Sequence, residues 1–202
     1  MTAGAILAGG GATRFGGAPK GLERVGGERI VDRLARVLEE ALGAPPLLVA
    51  NAPDAAEWNT GLRIVADPRP GAGALGGIHA AVREAPAPVV CVAWDMPFVT
   101  APLVRALAGG LGFADAFLPE SEGRRGVEPL CAAYGPACLA PIEARLDAGD
   151  LRAIAFHDAV RVEVLPLAAV RGFGDPDRLF FNVNTAAELR EAEELWRRAS
   201  SA

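Results

Sequence analysis

Four apolar residues, Ala5-Ile6-Leu7-Ala8, run without a break into Gly9-Gly10-Gly11-Ala12-Thr13-Arg14-Phe15-Gly16-Gly17-Ala18-Pro19-Lys20. The apolar run is short enough for a buried strand, and the glycines after it mark a turn. Glycine lacks a Cβ, so successive backbone N–H groups can turn toward an anion at close range, while Arg14 and Lys20 supply fixed positive charge. The segment reads as a cradle for a triphosphate. A plain glycine-rich turn is the alternative, and the two flanking cations favour the cradle.

Two familiar glycine fingerprints do not fit. A P-loop requires Lys and then Ser or Thr directly after its last glycine, whereas here Gly16 is followed by Gly17 and the lysine comes only at position 20. A dinucleotide fingerprint starting at Gly9 keeps Gly11 but puts Arg14 where a third glycine must let helix and strand pack closely. Walker-type hydrolysis and hydride transfer are both disfavoured.

Downstream, apolar runs alternate with amphipathic segments, the pattern of a doubly wound α/β fold with a mostly parallel, Rossmann-like sheet in the middle of three layers. Strands are predicted at Ala5 to Ala8, Leu47 to Ala50, Leu62 to Ala66, Val89 to Ala93, Ala114 to Leu118, Leu130 to Tyr134 and Val160 to Leu165. The clearest helix spans Arg29 to Leu42. There Ile30, Leu34, Val37, Leu38 and Ala41 share one face, Arg33, Arg36, Glu39 and Glu40 the other, and Gly43 ends it. Further helices are expected at Ile78 to Glu84, Ala101 to Ala108, Ala137 to Leu146 and Ala186 to Arg198, the last capped by Thr185. Pro68 to Gly77 and Glu120 to Gly126 read as long functional loops.

The 202 residues, 51% of them hydrophobic, suffice for one substantial core, so a single domain over residues 1–202 is expected. A net charge of −5 argues against a general binder of nucleic acid or membrane surfaces. Cys91, Cys131 and Cys138 form no C-x-x-C pair and suit a reducing, cytoplasmic setting, and no leader or apolar span is visible. His79 and His157 are not at zinc-ligand spacing, and no Ser-His-Asp arrangement emerges.

Ligands of open parallel sheets collect beyond the carboxyl ends of the strands, where this chain offers Gly9, Asn51, Asp67 and Asp95. Asp95 is a hard oxygen ligand suited to Mg²⁺ bridging phosphates, with an Asp-Met-Pro turn as the structural alternative. Asn51 and Asp67 suit hydrogen bonding to a nucleobase edge and ribose hydroxyls, or else Asx and Asp-Pro turn chemistry.

Leu7-Ala8-Gly9-Gly10, Arg14, Gly16 and Lys20-Gly21-Leu22 resemble the signature of nucleotidyltransferases of the nucleotide-diphosphosugar-transferase fold. With Asn51, Asp67, Gly73-Ala74-Leu75-Gly76-Gly77, Trp94-Asp95-Met96-Pro97-Phe98 and Asn182-Val183-Asn184-Thr185 in order, the chain most resembles the molybdenum cofactor guanylyltransferase family. The resemblance implies transfer of GMP from Mg²⁺-bound GTP to the terminal phosphate of molybdopterin or the molybdenum cofactor, with release of pyrophosphate. It implies catalytic roles for Arg14, Lys20 and Asp95, with Asp95 as the metal ligand. Nucleotide contacts fall on Leu7, Ala8, Gly9, Gly10, Gly11, Lys20, Asn51, Asp67, Gly76 and Asp95. Residues from about 1 to 110 would then form the nucleotide half. Those from about 111 to 202 would form the acceptor half, with Arg124, Asn182 and Asn184 at the acceptor, although a solvated hairpin around Arg124 and a structural role for the asparagines remain open. Cofactor-delivery proteins and acceptor enzymes are the implied partners. Trp94 departs from the small residue or cysteine usual in such proteins. A CTP-dependent molybdopterin cytidylyltransferase, another sugar- or alcohol-phosphate nucleotidyltransferase, and a nucleotide-binding module without transfer activity are the alternatives.

Overall fold

The computed structural model describes residues 1–9 and 19–200. Gly10, Gly11 and Arg14 therefore lie outside the described residues. In chain order the elements begin with β1 (Ala3–Leu7), β2 (Arg24–Val25), β3 (Glu28–Arg29), α1 (Ile30–Leu42), β4 (Leu47–Val49), β5 (Arg63–Val65), α2 (Gly73–Glu84) and β6 (Val89–Ala93). They continue with α3 (Ala101–Gly110), β7 (Ala116–Pro119), β8 (Cys131–Tyr134), α4 (Leu139–Asp147), β9 (Val162–Leu165), α5 (Leu167–Val170), α6 (Pro176–Leu179) and α7 (Ala186–Ser200).

Seven strands form one sheet in the order β5-β4-β1-β6-β8-β7-β9. β8 runs antiparallel to both neighbours, and the remaining pairings are parallel. All seven predicted strands are present, and the mostly parallel, three-layered α/β expectation holds. In β6 every residue is buried: Val90 and Val92 join the core under α1 and α3, while Val89 and Cys91 join the one under α2 and α4. Successive strand side chains point to opposite faces, so a strand covered on both faces is written as an unbroken apolar run.

α1 follows its predicted bounds closely, and Gly43 closes it in the left-handed region at φ 79°, donating its N–H to the Glu39 carbonyl. One residue of its outer face is misassigned by the amphipathic pattern. Arg33 is only 4% exposed, because the β2–β3 hairpin and α7 fold over it. Its guanidinium lies 3.8 Å from the centre of the Trp196 ring and donates to the Val25 carbonyl at 2.6 Å. Burial lowers its pKa, and Glu28 partly opposes that shift.

α2 also departs from expectation. It starts at Gly73, so the second half of the predicted Pro68 to Gly77 loop is its first turn. The Glu120 to Gly126 loop is a tight, exposed reversal closed by a bridge between Glu120 and Val127. Cys91, Cys131 and Cys138 are buried and free, and no helix among the described residues is long and apolar enough to cross a membrane.

Leu34 of α1 is fully buried between that helix and the sheet. Leu34→Ala is expected to lower the free energy of unfolding by about 2–5 kcal/mol in urea titration, with little change in m-value. A loss below about 1 kcal/mol would mean that this layer is loosely packed.

Candidate functional site

From β1 the chain crosses by α1 to β4 on one side, and from β5 it returns by α2 to β6 on the other. The strand order thus reverses at β1, which leaves a crevice beyond its carboxyl end. A cavity of about 670 Å³ opens there, within the range of small-molecule sites. Leu7, Ala8 and Gly9 line it from β1, Val49, Ala50 and Asn51 from β4, Asp67 from beyond β5, and Ala93, Trp94 and Asp95 from β6. Lys20 and Asn184 also line this mouth.

Lys20 sits in a short 3-10 turn, Lys20–Leu22, and is 6% exposed. Its ammonium donates to Asn184 Oδ1 at 2.7 Å and stands 3.7 Å from Asp95 Oδ2. Asn184 is held in turn by Glu188, whose Oε2 accepts the Asn184 N–H and the Thr185 hydroxyl. The Thr185 Oγ1 accepts the Glu188 N–H, which bears out the predicted cap of α7. Next door, the Val183 N–H donates to the Asp95 carbonyl at 2.9 Å and pins the Asn182-Val183-Asn184 segment to the end of β6.

Asp95 is ionically stressed. Burial raises its carboxyl above the usual range, the Lys20 ammonium opposes this, and Glu188 adds to it. Its Oδ1 is buried with no hydrogen-bond partner among the described residues. An unsatisfied hard oxygen at this position fits a divalent cation. Mg²⁺ in particular is commonly held by one or two carboxylates plus substrate phosphates, so a dedicated cage is unnecessary. Indeed, no cluster of three or more His, Cys, Asp or Glu side chains suited to a metal occurs among the described residues.

Asn51 and Asp67 are tied together. The Asn51 amide donates to the Asp67 carbonyl at 3.3 Å, and its Oδ1 accepts the Asp67 N–H at 2.7 Å. Asp67 Oδ1 takes the Arg69 N–H, while Oδ2 lies so close to Gly76 that a Cβ there would be 2.2 Å from it. Gly76 therefore backs the carboxylate from one turn behind the cavity wall. Arg124 is exposed on its loop, Asn182 donates to the Phe180 carbonyl, and neither lines the cavity.

Two lining residues escaped the sequence reading. Asp54 and Trp58 line the cavity along with Trp94. The two indoles stack with centroids 5.2 Å apart and planes at 26°. Trp94 fits only because residue 21 is glycine, since a Cβ there would lie 2.4 Å from the Trp94 ring. The one signal available was position: Asp54 and Trp58 follow the same strand end as Asn51.

A mostly parallel sheet whose strand order reverses beside such a crevice is that of the nucleotide-diphosphosugar-transferase fold, and this chain is of that class. It belongs to the MobA-like NTP transferase domain family, whose model matches residues 4–162. It is 36% identical over 193 residues to a Pelotomaculum thermopropionicum protein named "probable molybdenum cofactor guanylyltransferase", covering 95% of this chain and 92% of that one. To the molybdenum cofactor guanylyltransferase of Desulfosudis oleivorans it is 34% identical over 194 residues, covering 94% and 93% respectively. The crystal structure of molybdopterin-guanine dinucleotide biosynthesis protein A from Archaeoglobus fulgidus superposes with a TM-score of 0.80 at 27% identity, covering 98% of this chain and all of that one.

The raised pKa of Asp95 has a consequence for stability. The carboxyl ionises at higher pH folded than unfolded, so the folded state loses stability as pH rises from the unfolded value, about 3.9, through the raised folded one. In stronger acid both states are protonated and the penalty is absent. Asp95→Asn is expected to raise the thermal midpoint at neutral pH, with the gain fading toward about pH 3. An unchanged or lower midpoint at neutral pH would contradict the burial penalty.

Proposed function

We propose that this chain is a molybdenum cofactor guanylyltransferase. It would transfer GMP from GTP to the terminal phosphate of molybdopterin or of the molybdenum cofactor. The observation that carries the reading is the convergence of Gly9, Lys20 and Asp95 on one cavity at the strand-order reversal, in a chain whose relatives bear that name over nearly their whole length.

In this proposal the first half of the chain, to about residue 110, holds the nucleotide. The backbone of Leu7 to Gly9, continuing through Gly10 and Gly11, receives the phosphates, and Asp67 with Gly76 behind it receives the ribose. Asn51 fixes Asp67. The second half meets the acceptor, with Asn184 at the shared boundary and Asn182 and Arg124 further out.

The reaction is an in-line displacement. An oxygen of the acceptor's terminal phosphate forms a bond to the α-phosphorus of GTP as the bond from that phosphorus to the β-phosphate oxygen breaks, and pyrophosphate leaves with the electron pair. The attacking oxygen is already anionic, so no general base is required, and alignment with charge neutralisation supplies the catalysis. Lys20, with Arg14 from the glycine loop, offsets the charge that gathers on the α-phosphate and leaving group. Asp95 would hold Mg²⁺, which when bound contributes Lewis-acid stabilisation of the phosphate oxygens. The enzyme would work in the cytoplasm, taking its acceptor from cofactor-delivery proteins and passing its product to acceptor enzymes.

Lys20→Ala is expected to cost about 3 kcal/mol of transition-state stabilisation, roughly a hundredfold in pyrophosphate release with GTP and molybdopterin. Wild-type turnover in that variant would remove Lys20 from the chemistry. In thermal-shift assays with Mg²⁺, GTP at a hundred times its dissociation constant should stabilise the protein by about 2.7 kcal/mol, ahead of CTP, ATP and UTP. A preference for CTP would overturn the guanylyl assignment.

A further inference from the structure

We propose that Asp54 is the residue that reads the base of the bound nucleotide and selects guanine; the inference rests on the guanylyltransferase reading above. The Watson–Crick edge of guanine presents two adjacent donors, N1–H and the N2 amino group. An ionised carboxylate accepts only, through two oxygens with about four lone-pair directions, and so can meet both donors together. Adenine and cytosine each place an acceptor ring nitrogen beside a single amino donor. Against them a carboxylate sets acceptor against acceptor, so the group that favours guanine also excludes its competitors.

Asp54 has the position and the spare capacity for this. It lines the same cavity as Gly9 and Lys20, and it is exposed. Its carboxylate is fixed by the Trp58 indole, whose N–H donates to Oδ2 at 3.1 Å, while Oδ1 has no hydrogen bond among the described residues. Trp58 is itself immobilised by its stack on Trp94 and by the Arg29 guanidinium, which donates to the Trp58 carbonyl at 2.7 Å and pairs with Asp32. The carboxylate therefore stands on a braced 3-10 turn, Ala55–Trp58. Such bracing limits the ordering entropy that binding would otherwise incur.

The other polar side chains at this mouth are engaged within the fold or assigned above to the ribose and the cation. Both ends of the Asn51 amide are engaged by the Asp67 backbone. Asp67 Oδ1 accepts the Arg69 N–H, and the carboxylate is assigned above to the ribose. Asp95 faces Lys20. With those assignments made, Asp54 is the carboxylate of this cavity left open to a base.

The test uses the full chain and measures dissociation constants of the Mg²⁺ complexes of GTP, ITP, CTP and ATP by calorimetry. ITP lacks only the N2 amino group. Wild-type protein should bind GTP about tenfold more tightly than ITP, the effect of one charge-assisted hydrogen bond. Asp54→Asn puts an amide donor where an acceptor stood. It should weaken GTP by roughly 10- to 100-fold and bring GTP and ITP within about twofold of each other. An unaltered thermal midpoint of the free variant would show that the fold persists. If wild-type protein prefers GTP and Asp54→Asn keeps the full GTP-over-ITP preference, the base reader lies elsewhere while the guanylyltransferase reading stands. If wild-type protein prefers CTP or ATP, or binds no nucleotide, both proposals fall together.

Discussion

A lysine ammonium withdrawn from water has to find oxygens in place of its hydration shell. For Lys20 those oxygens belong to Asn184, which lies 164 positions along the chain, and to Asp95 at the end of β6. The pairing draws the cap of α7 onto the strand end, where the Val183 N–H takes up the Asp95 carbonyl as well. The cation of the N-terminal signature, the carboxylate suited to a metal and the C-terminal asparagine segment thus form one electrostatic unit. Loosening Lys20 or Asn184 leaves the other with an unmatched polar atom at this corner.

The sheet makes that unit reachable. β8 lies antiparallel between β6 and β7, so its beginning, not its end, sits beside the carboxyl end of β6. There the Leu130 carbonyl accepts the Ala93 N–H at 2.7 Å, just before Trp94 and Asp95. Glu128 steadies the same corner by accepting the Leu130 N–H. Burial raises the Glu128 carboxyl, and the nearby Asp95 charge adds to that shift. One reversed strand is what lets the second half of the chain contribute to a rim otherwise built from parallel strands of the first.

What the sequence disclosed and what it hid follow from the range of the interactions involved. The seven strands are legible because burial on both faces writes each as an apolar run, as in Val89 to Ala93. Their order is not, because pairing β1 with β4 and β6 is a long-range choice that no local period encodes. Arg33 reads as an outward charge on a helical period, and turns inward only because Trp196 and the β2–β3 hairpin arrive from elsewhere. Gly73, Gly76 and Gly77 read as loop, whereas Gly76 is glycine because the Asp67 carboxylate presses on it from another element. Gly9, Lys20 and Asp95 were visible as strand-end chemistry and share the cavity. Asp54 and Trp58 were not, since nothing in a short loop after β4 distinguishes a wall residue from a turn residue.

The floor of the cavity illustrates how a site keeps a charge under strain. Asp95 follows Trp94, which is 3% exposed, and the stacked Trp58 extends the same apolar slab beneath the mouth. Burial raises the Asp95 carboxyl, and its Oδ1 has no hydrogen-bond partner among the described residues. Gly21 is the matching concession, for a side chain there would collide with the ring. Because glycine 21 directly follows Lys20, the contact that admits the tryptophan also holds the lysine's turn against the strand end. Burial disfavours the charged form of the Asp95 carboxyl, and a cation beside it would favour that form.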